Sequence, residues 1–214
     1  MGALYNPTAH AEEPRAGELQ SDRSPSCQPA ESATLFTLVA PPDIDVHLLS
    51  VLNRPGVGWL DGVMAAASNR GVLLAIAAIA AIYLWVKSPH RALAAVLLWA
   101  AIGAADLLSV RVVKPEVARV RPCKVDPARV PHPLGCGSGQ SFPSTHASDT
   151  AAAAVVFSWA APRLSAVGIV LTLLVGVSRV YLGVHWPTDV MAGWALGAAV
   201  GACLITLARL RYLR

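Results

Sequence analysis

The stretch Ser178-Arg179-Val180-Tyr181-Leu182-Gly183-Val184-His185-Trp186-Pro187-Thr188-Asp189 is a short polar hinge between two long apolar blocks, and it decides how the chain is read. Upstream lie residues 164 to 182 and downstream residues 190 to 208, both poor in groups that water would hold. Each approaches the roughly 20 residues that a helix needs to cross a hydrocarbon core. Working outward, the same pattern recurs at 71 to 86, 92 to 110 and 147 to 162. Ala, Leu, Val and Gly dominate these blocks without a polar stripe, which suits helices facing lipid and one another and does not suit half-buried strands. With 55% of its residues hydrophobic and only 14% charged, the chain is far more apolar than a soluble domain of its size requires. The expected fold is all-α: a polytopic transmembrane helical bundle of about five spans.

Residues 1–42 read differently, being rich in Pro, Ser, Ala and charge, and are expected to form a disordered tail before a single membrane domain over 43–214. Ala33 to Ala40 is too short for a span and runs into Pro41 and Pro42, so neither a signal peptide nor a further span is expected there. Asp43 to Asn69 mixes Leu48, Leu49, Leu52, Trp59 and Met64 with polar positions. Short N-terminal helices lying in the interface are expected, broken near Pro55 and Gly56.

The formal charge of +4 does not mark a nucleic-acid binder, because the basic residues form no exposed run. Lys87, Arg91, Arg163, Arg209, Arg211 and Arg214 sit at span ends on one side. Arg111, Lys114, Arg119, Arg121, Lys124 and Arg129 cluster beside one loop on the other. If the second set serves to bind phosphate, the first marks the cytoplasmic face, and the loop over 113–142 faces outward. Cys123 and Cys136 both fall in that loop, where an oxidising compartment would let them pair; two free thiols, or pairing with Cys27, are the alternatives. Cys203, in an apolar helix, is expected to pack.

Three segments concentrate the ionisable residues that a membrane protein otherwise avoids. In Lys114-Pro115-Glu116-Val117-Ala118-Arg119-Val120-Arg121-Pro122, a helical backbone would return Lys114 and Arg121 to one face two turns apart, although cations beside a span also commonly reach for lipid headgroups. In Ser141-Phe142-Pro143-Ser144-Thr145-His146, Ser144 is placed to cap a helix whose free N–H groups would face an anion, with His146 in the first turn as a proton donor. In the opening segment, Pro187 suits a first helical turn, so Asp189 reaches back to orient His185, while Arg179 adds a third cation. Strict alternation of spans brings all three segments to the same side. Three cations, a helix N-terminus and two histidines there describe a site for a phosphate whose transition state spreads negative charge over its oxygens.

These residues resemble the signature of the type 2 phosphatidic acid phosphatase family: Lys, six residues, Arg-Pro; Pro-Ser-Gly-His; then Ser-Arg, five residues, His, three residues, Asp. Every fixed position is met except one, where Thr145 stands in place of Gly. The resemblance implies that His185 attacks phosphorus to form a phosphohistidine, that Asp189 orients it, and that His146 protonates the leaving oxygen and later activates water. It further implies that Lys114, Arg121, Ser144, Thr145 and Arg179 hold the phosphate oxygens with no metal and no cofactor. A helix first turn accepts Thr, so its amide is expected to survive.

The implied function is a multi-pass phosphatase of a bacterial inner membrane, its site facing the periplasm or exterior and its partners the bilayer and a lipid phosphate. Undecaprenyl diphosphate comes first among substrates; lipid A 1-phosphate, phosphatidylglycerol phosphate and phosphatidic acid are alternatives, as is transfer of phosphate between lipids. A vanadate-dependent haloperoxidase would keep the cations and His185, but such relatives are soluble and larger. Gly193, Gly197 and Gly201 form a close-packing face that fits a membrane scaffold or a homodimer, and more often packs helices within one chain. Asp106 is expected to pair with a site cation or to serve a buried polar contact, the latter preferred.

Overall fold

The structure, a computed structural model, describes residues 41–131 and 133–212. The tail expected over 1–42 lies outside these residues except for Pro41 and Pro42, as does Cys27. Every regular element among the described residues is helical: α1 (Asp43–Leu52), α2 (Gly58–Ala67), α3 (Arg70–Lys87), α4 (Arg91–Leu108), α5 (Lys114–Val117), α6 (Pro122–Val125), α7 (Thr145–Ala160), α8 (Ser165–Tyr181) and α9 (Pro187–Tyr212). The break expected near Pro55 and Gly56 separates α1 from α2. Asn69 starts α3 by accepting the Val72 amide on its side chain, a cap that satisfies one free N–H.

Four segments are long and apolar enough to cross a membrane: Arg70–Lys87, Arg91–Val125, Pro162–Tyr181 and Pro187–Arg211. The fifth expected span corresponds to α7, which at 16 residues is shorter. The reason is its position. α7 packs against α3, α4, α8 and α9, and none of its residues is exposed, so its length answers to its neighbours rather than to the bilayer. Surrounding helices turn Ile79, Ile82, Val96, Leu107, Ile169 and Met191 outward, as a lipid-facing surface requires. Cys203, expected to pack, is exposed on α9.

The glycine face of α9 is spent inside the chain. A Cβ at Gly193 would stand 2.5 Å from the Ser144 carbonyl oxygen, one at Gly197 would collide with the Ser148 carbonyl, and one at Gly201 would come within 2.9 Å of the Ala152 carbonyl. Small residues on α7, among them Ala147, Ala151 and Ala152, complete this close approach. The seam fixes how far α9 stands from α7, and therefore how the first turn of one meets the first turn of the other.

Candidate active site

That meeting point is the outer wall of a cavity of about 580 Å³ that runs down between α3, α4, α7 and α8. Lys114, Arg121, Thr145, His146, Arg179 and His185 line its polar end, while Leu73, Ile76, Leu98, Ile102, Phe157 and Leu171 line the part that continues into the bundle. Three separate segments of sequence thus converge on one space. Asp189 and Ser144 are fully buried behind that wall and do not line it.

Lys114 and Arg121 reach the cavity by a route other than the continuous helix expected for them. After α4 the backbone loosens into a π-helical turn over Ser109–Val113, resumes as α5, and stops at Ala118, which takes a left-handed φ of 49°. The chain then extends through Arg121 before α6 begins. Lys114 Nζ donates to the Gln140 carbonyl at 2.9 Å, and Arg121 donates from Nε to the Gly139 carbonyl at 3.3 Å and from Nη1 to the Val184 carbonyl at 2.9 Å. Backbone carbonyls of the 113–142 loop and of the turn between α8 and α9 therefore aim the two cations. A disulfide between Cys123 and Cys136, expected as one of three alternatives, closes that loop with a Cα–Cα distance of 5.7 Å.

His185 sits in the turn between α8 and α9. Gly183 makes this turn with a φ of +69°, and a Cβ there would stand 2.6 Å from the Pro131 carbonyl oxygen, so glycine meets both demands. The Val184 and His185 amides then return to the Arg179 carbonyl at 3.2 and 3.3 Å. Arg121 Nη1 lies 3.2 Å from His185 Nε2. A guanidinium only donates, so Nε2 is the accepting nitrogen and the ring proton resides on Nδ1. Asp189 Oδ2 stands 3.6 Å from that Nδ1, beyond hydrogen-bond reach, and Nδ1 has no other partner among the described residues. The carboxylate acts on the ring through its charge and position. Burial, reinforced by Arg179 and Arg121 against the pull of Asp189, pushes the imidazole pKa down to about 3, so His185 is neutral at ordinary pH.

Arg179 Nε makes no hydrogen bond among the described residues, which leaves this cation with donor capacity at the cavity. Ser144 stands at the N-cap of α7 as expected, yet its Oγ makes no capping bond and its amide is spent on the Asp189 carbonyl at 2.9 Å. Thr145 and His146 follow it onto the cavity wall, where the free N–H groups of a helix start favour an anion. Asp106 pairs with Arg70 at 3.1 Å, so it meets a cation outside the expected set. Asp149, one turn beyond His146, lines the same cavity and was not singled out in the sequence. Among the described residues, no three His, Cys, Asp or Glu side chains gather where an ion would be held.

Sequence reasoning passed over the support behind His185. Asp189 accepts from Arg119 Nη1 at 2.7 Å, from the Trp186 amide at 2.9 Å and from Ser141 Oγ. Arg119 extends from Asp189 to Asp45 of α1, which it meets through Nη2 at 2.5 Å. Thr188 joins the same group, donating to Asp45 from its amide at 2.8 Å and its hydroxyl at 2.6 Å. Arg119 was legible only as one more loop cation and Asp45 only as a polar position of an amphipathic helix. The one available signal was that Arg119 lies two residues before Arg121 in the same segment.

The same helical frame occurs in known proteins. An undecaprenyl-diphosphatase of Sulfolobus acidocaldarius is 31% identical over 163 residues, which cover 72% of this chain and 73% of that one. The crystal structure of a transmembrane PAP2-type phosphatidylglycerolphosphate phosphatase from Bacillus subtilis superposes with a TM-score of 0.62 at 27% identity, over 80% of this chain and 88% of its own. That of Aquifex aeolicus LpxE superposes with a TM-score of 0.67 over 79% of this chain and 99% of its own, and at 24% identity bears on the fold alone. The PAP2 superfamily matches residues 92–212, from the first turn of α4 through all three polar segments to the end of α9, and the chain belongs to that superfamily.

Proposed function

We propose that the chain is an integral membrane lipid phosphatase that removes phosphate from a lipid phosphate or diphosphate through a phosphohistidine on His185, without a metal ion. The observation that carries this reading is the setting of His185: its Nε2 stands 3.2 Å from Arg121 Nη1 at a cavity also walled by Lys114 and Arg179. Nε2 forms a bond to phosphorus as the bond from phosphorus to the leaving oxygen breaks, and His146 delivers a proton to that oxygen. The three cations, with the first N–H groups of α7, stabilise charge on the remaining oxygens. Water, deprotonated by His146, then attacks phosphorus, phosphate leaves, and the electron pair returns to Nε2.

Undecaprenyl diphosphate is the first substrate to try. The apolar continuation of the cavity suits a long hydrocarbon beside the phosphate, and the relative from Sulfolobus acidocaldarius carries that activity in its name. Phosphatidylglycerol phosphate is the second, on the activity for which the Bacillus subtilis protein is named. The Cys123–Cys136 disulfide supports an outward-facing site in a bacterial inner membrane, since such bonds persist in oxidising compartments. Phosphate release from undecaprenyl diphosphate, phosphatidylglycerol phosphate and phosphatidic acid, measured in detergent with chelator present, tests the reading. His185→Ala is expected to lose at least ~10³-fold in kcat, as removal of a covalent nucleophile does. Retained turnover in that variant, or loss of wild-type turnover on adding chelator, overturns it.

A further inference from the structure

The group behind His185 contains more charge than orientation alone requires. Asp45 and Asp189 are both 0% exposed and Arg119 is 4% exposed, so all three are withdrawn from water. Arg119 bridges the two carboxylates, with Nη1 on Asp189 Oδ1 at 2.7 Å and Nη2 on Asp45 Oδ2 at 2.5 Å, and the Trp186 ring packs against its guanidinium at 5.4 Å. Had orientation of Asp189 been the whole purpose, Arg119, Ser141 and the Trp186 amide already hold it. An isolated Arg119–Asp189 pair, however, is neutral, and a neutral pair offers little to a neighbouring cation. Adding Asp45 makes the array carry one net negative charge.

His185 needs that charge during the reaction. When Nε2 bonds to phosphorus while Nδ1 keeps its proton, the ring becomes an imidazolium, and Asp189 Oδ2 at 3.6 Å from Nδ1 is the nearest carboxylate oxygen described. We infer that Asp45, delivered from α1, is a positioning residue for this step: by neutralising Arg119 it preserves the negative field that Asp189 presents to His185. Asp45 touches no reacting atom and acts only through Arg119 and Thr188. The inference rests on the reading of His185 as nucleophile.

A charge role and a merely structural role part company in a double variant. Asp45→Asn leaves the Arg119–Asp189 pair neutral, whereas Asp45→Asn with Arg119→Gln removes both distal charges and restores one net negative charge at Asp189. On full-length protein in detergent, with whichever lipid of the panel above is turned over, Asp45→Asn should lower kcat at least ~10-fold with KM within about 3-fold, and the double variant should regain at least about half of that loss on a logarithmic scale. A smaller loss, a loss carried by KM, or a double variant no faster than the single overturns the inference. If Asp45→Asn does not fold, the double variant decides alone: kcat within about 30-fold of wild type supports the charge role and a greater loss overturns it. Failure of both to fold also overturns it, since the array would then serve the fold. If His185→Ala is inactive while the Asp45 pattern is absent, only this inference falls. If His185→Ala is active, the nucleophile reading falls and takes this one with it.

Discussion

In the apolar half of the bundle Ala81, Leu84, Ala94, Leu98, Ala101 and Val156 meet in contacts governed by size, whereas in the polar half Asp45, Arg119, Ser141, Thr188 and Asp189 meet in contacts that each need a particular donor or acceptor. Many sequences would fill the first kind of space, because a volume-conserving exchange of apolar residues costs little. Few would fill the second, because a buried charge that loses its partner is strongly destabilised. The two halves nonetheless depend on one another. The glycine seam of α9 sets the spacing at which the Ser144 amide meets the Asp189 carbonyl, so coarse packing along the seam bears on fine geometry at the site.

After loss of His185 itself, the hardest blow to the polar half is expected at Arg121. Arg121→Ala should cost at least ~10²-fold in kcat/KM for phosphate release, and Arg121→Lys should recover little of it, since a compact ammonium lacks the planar fork that reaches the Gly139 and Val184 carbonyls from separate nitrogens. Full activity in the lysine variant would mean that charge alone, without a fork, suffices there. Next in size is the 113–142 loop: replacing Cys123 and Cys136 by Ser removes a cross-link across 13 residues and should lower stability by about 2–4 kcal/mol, read as an earlier midpoint of thermal unfolding in detergent. An unchanged midpoint would show that hydrogen bonds and packing already hold the loop.

The seam below offers a smaller effect and a built-in control. Gly197→Val pushes a side chain into the Ser148 carbonyl and should destabilise by about 1–3 kcal/mol, while Gly103→Ala, where a Cβ meets nothing within 4 Å, should be neutral or mildly stabilising. Equal effects at the two sites would dissolve the distinction between seam and surface. Smallest is a pH effect. The folded chain holds His185 unprotonated down to about 3, while a free imidazole titrates near 6.5, so on acidification the unfolded chain takes up the proton first. This contribution to stability is fully present above pH 6.5 and drains away as pH falls from there towards 3. The thermal midpoint of His185→Gln should therefore fall less steeply than that of wild type between pH 7 and pH 5, and parallel slopes would count against a buried neutral His185.

What could be read from the sequence follows the same division. Apolar blocks announce spans because the bilayer demands length and composition, and the cations near those span ends stand out because membranes seldom tolerate them. Proline at the start of α9 marks a first helical turn, which from the sequence alone places His185 and Asp189 one turn apart. The partners of Asp45 were hidden because they lie 74 and 143 residues away, a distance that no local pattern encodes. The path of Lys114 and Arg121 was hidden for another reason: a π-helical turn and a left-handed alanine leave no mark in composition. The shortness of α7 is legible only once its neighbours are known, since a helix wrapped by others owes nothing to membrane thickness.

The burial of Asp45 also has a bearing on how the protein is made. This carboxylate is made ahead of the four membrane-crossing segments among the described residues, whereas Thr188 is made after three of them. Until Thr188 is made, the aspartate has Arg119 to pair with but lacks the amide and hydroxyl that complete its setting. A chain interrupted before Thr188 would therefore leave this acid short of two donors that the finished molecule supplies.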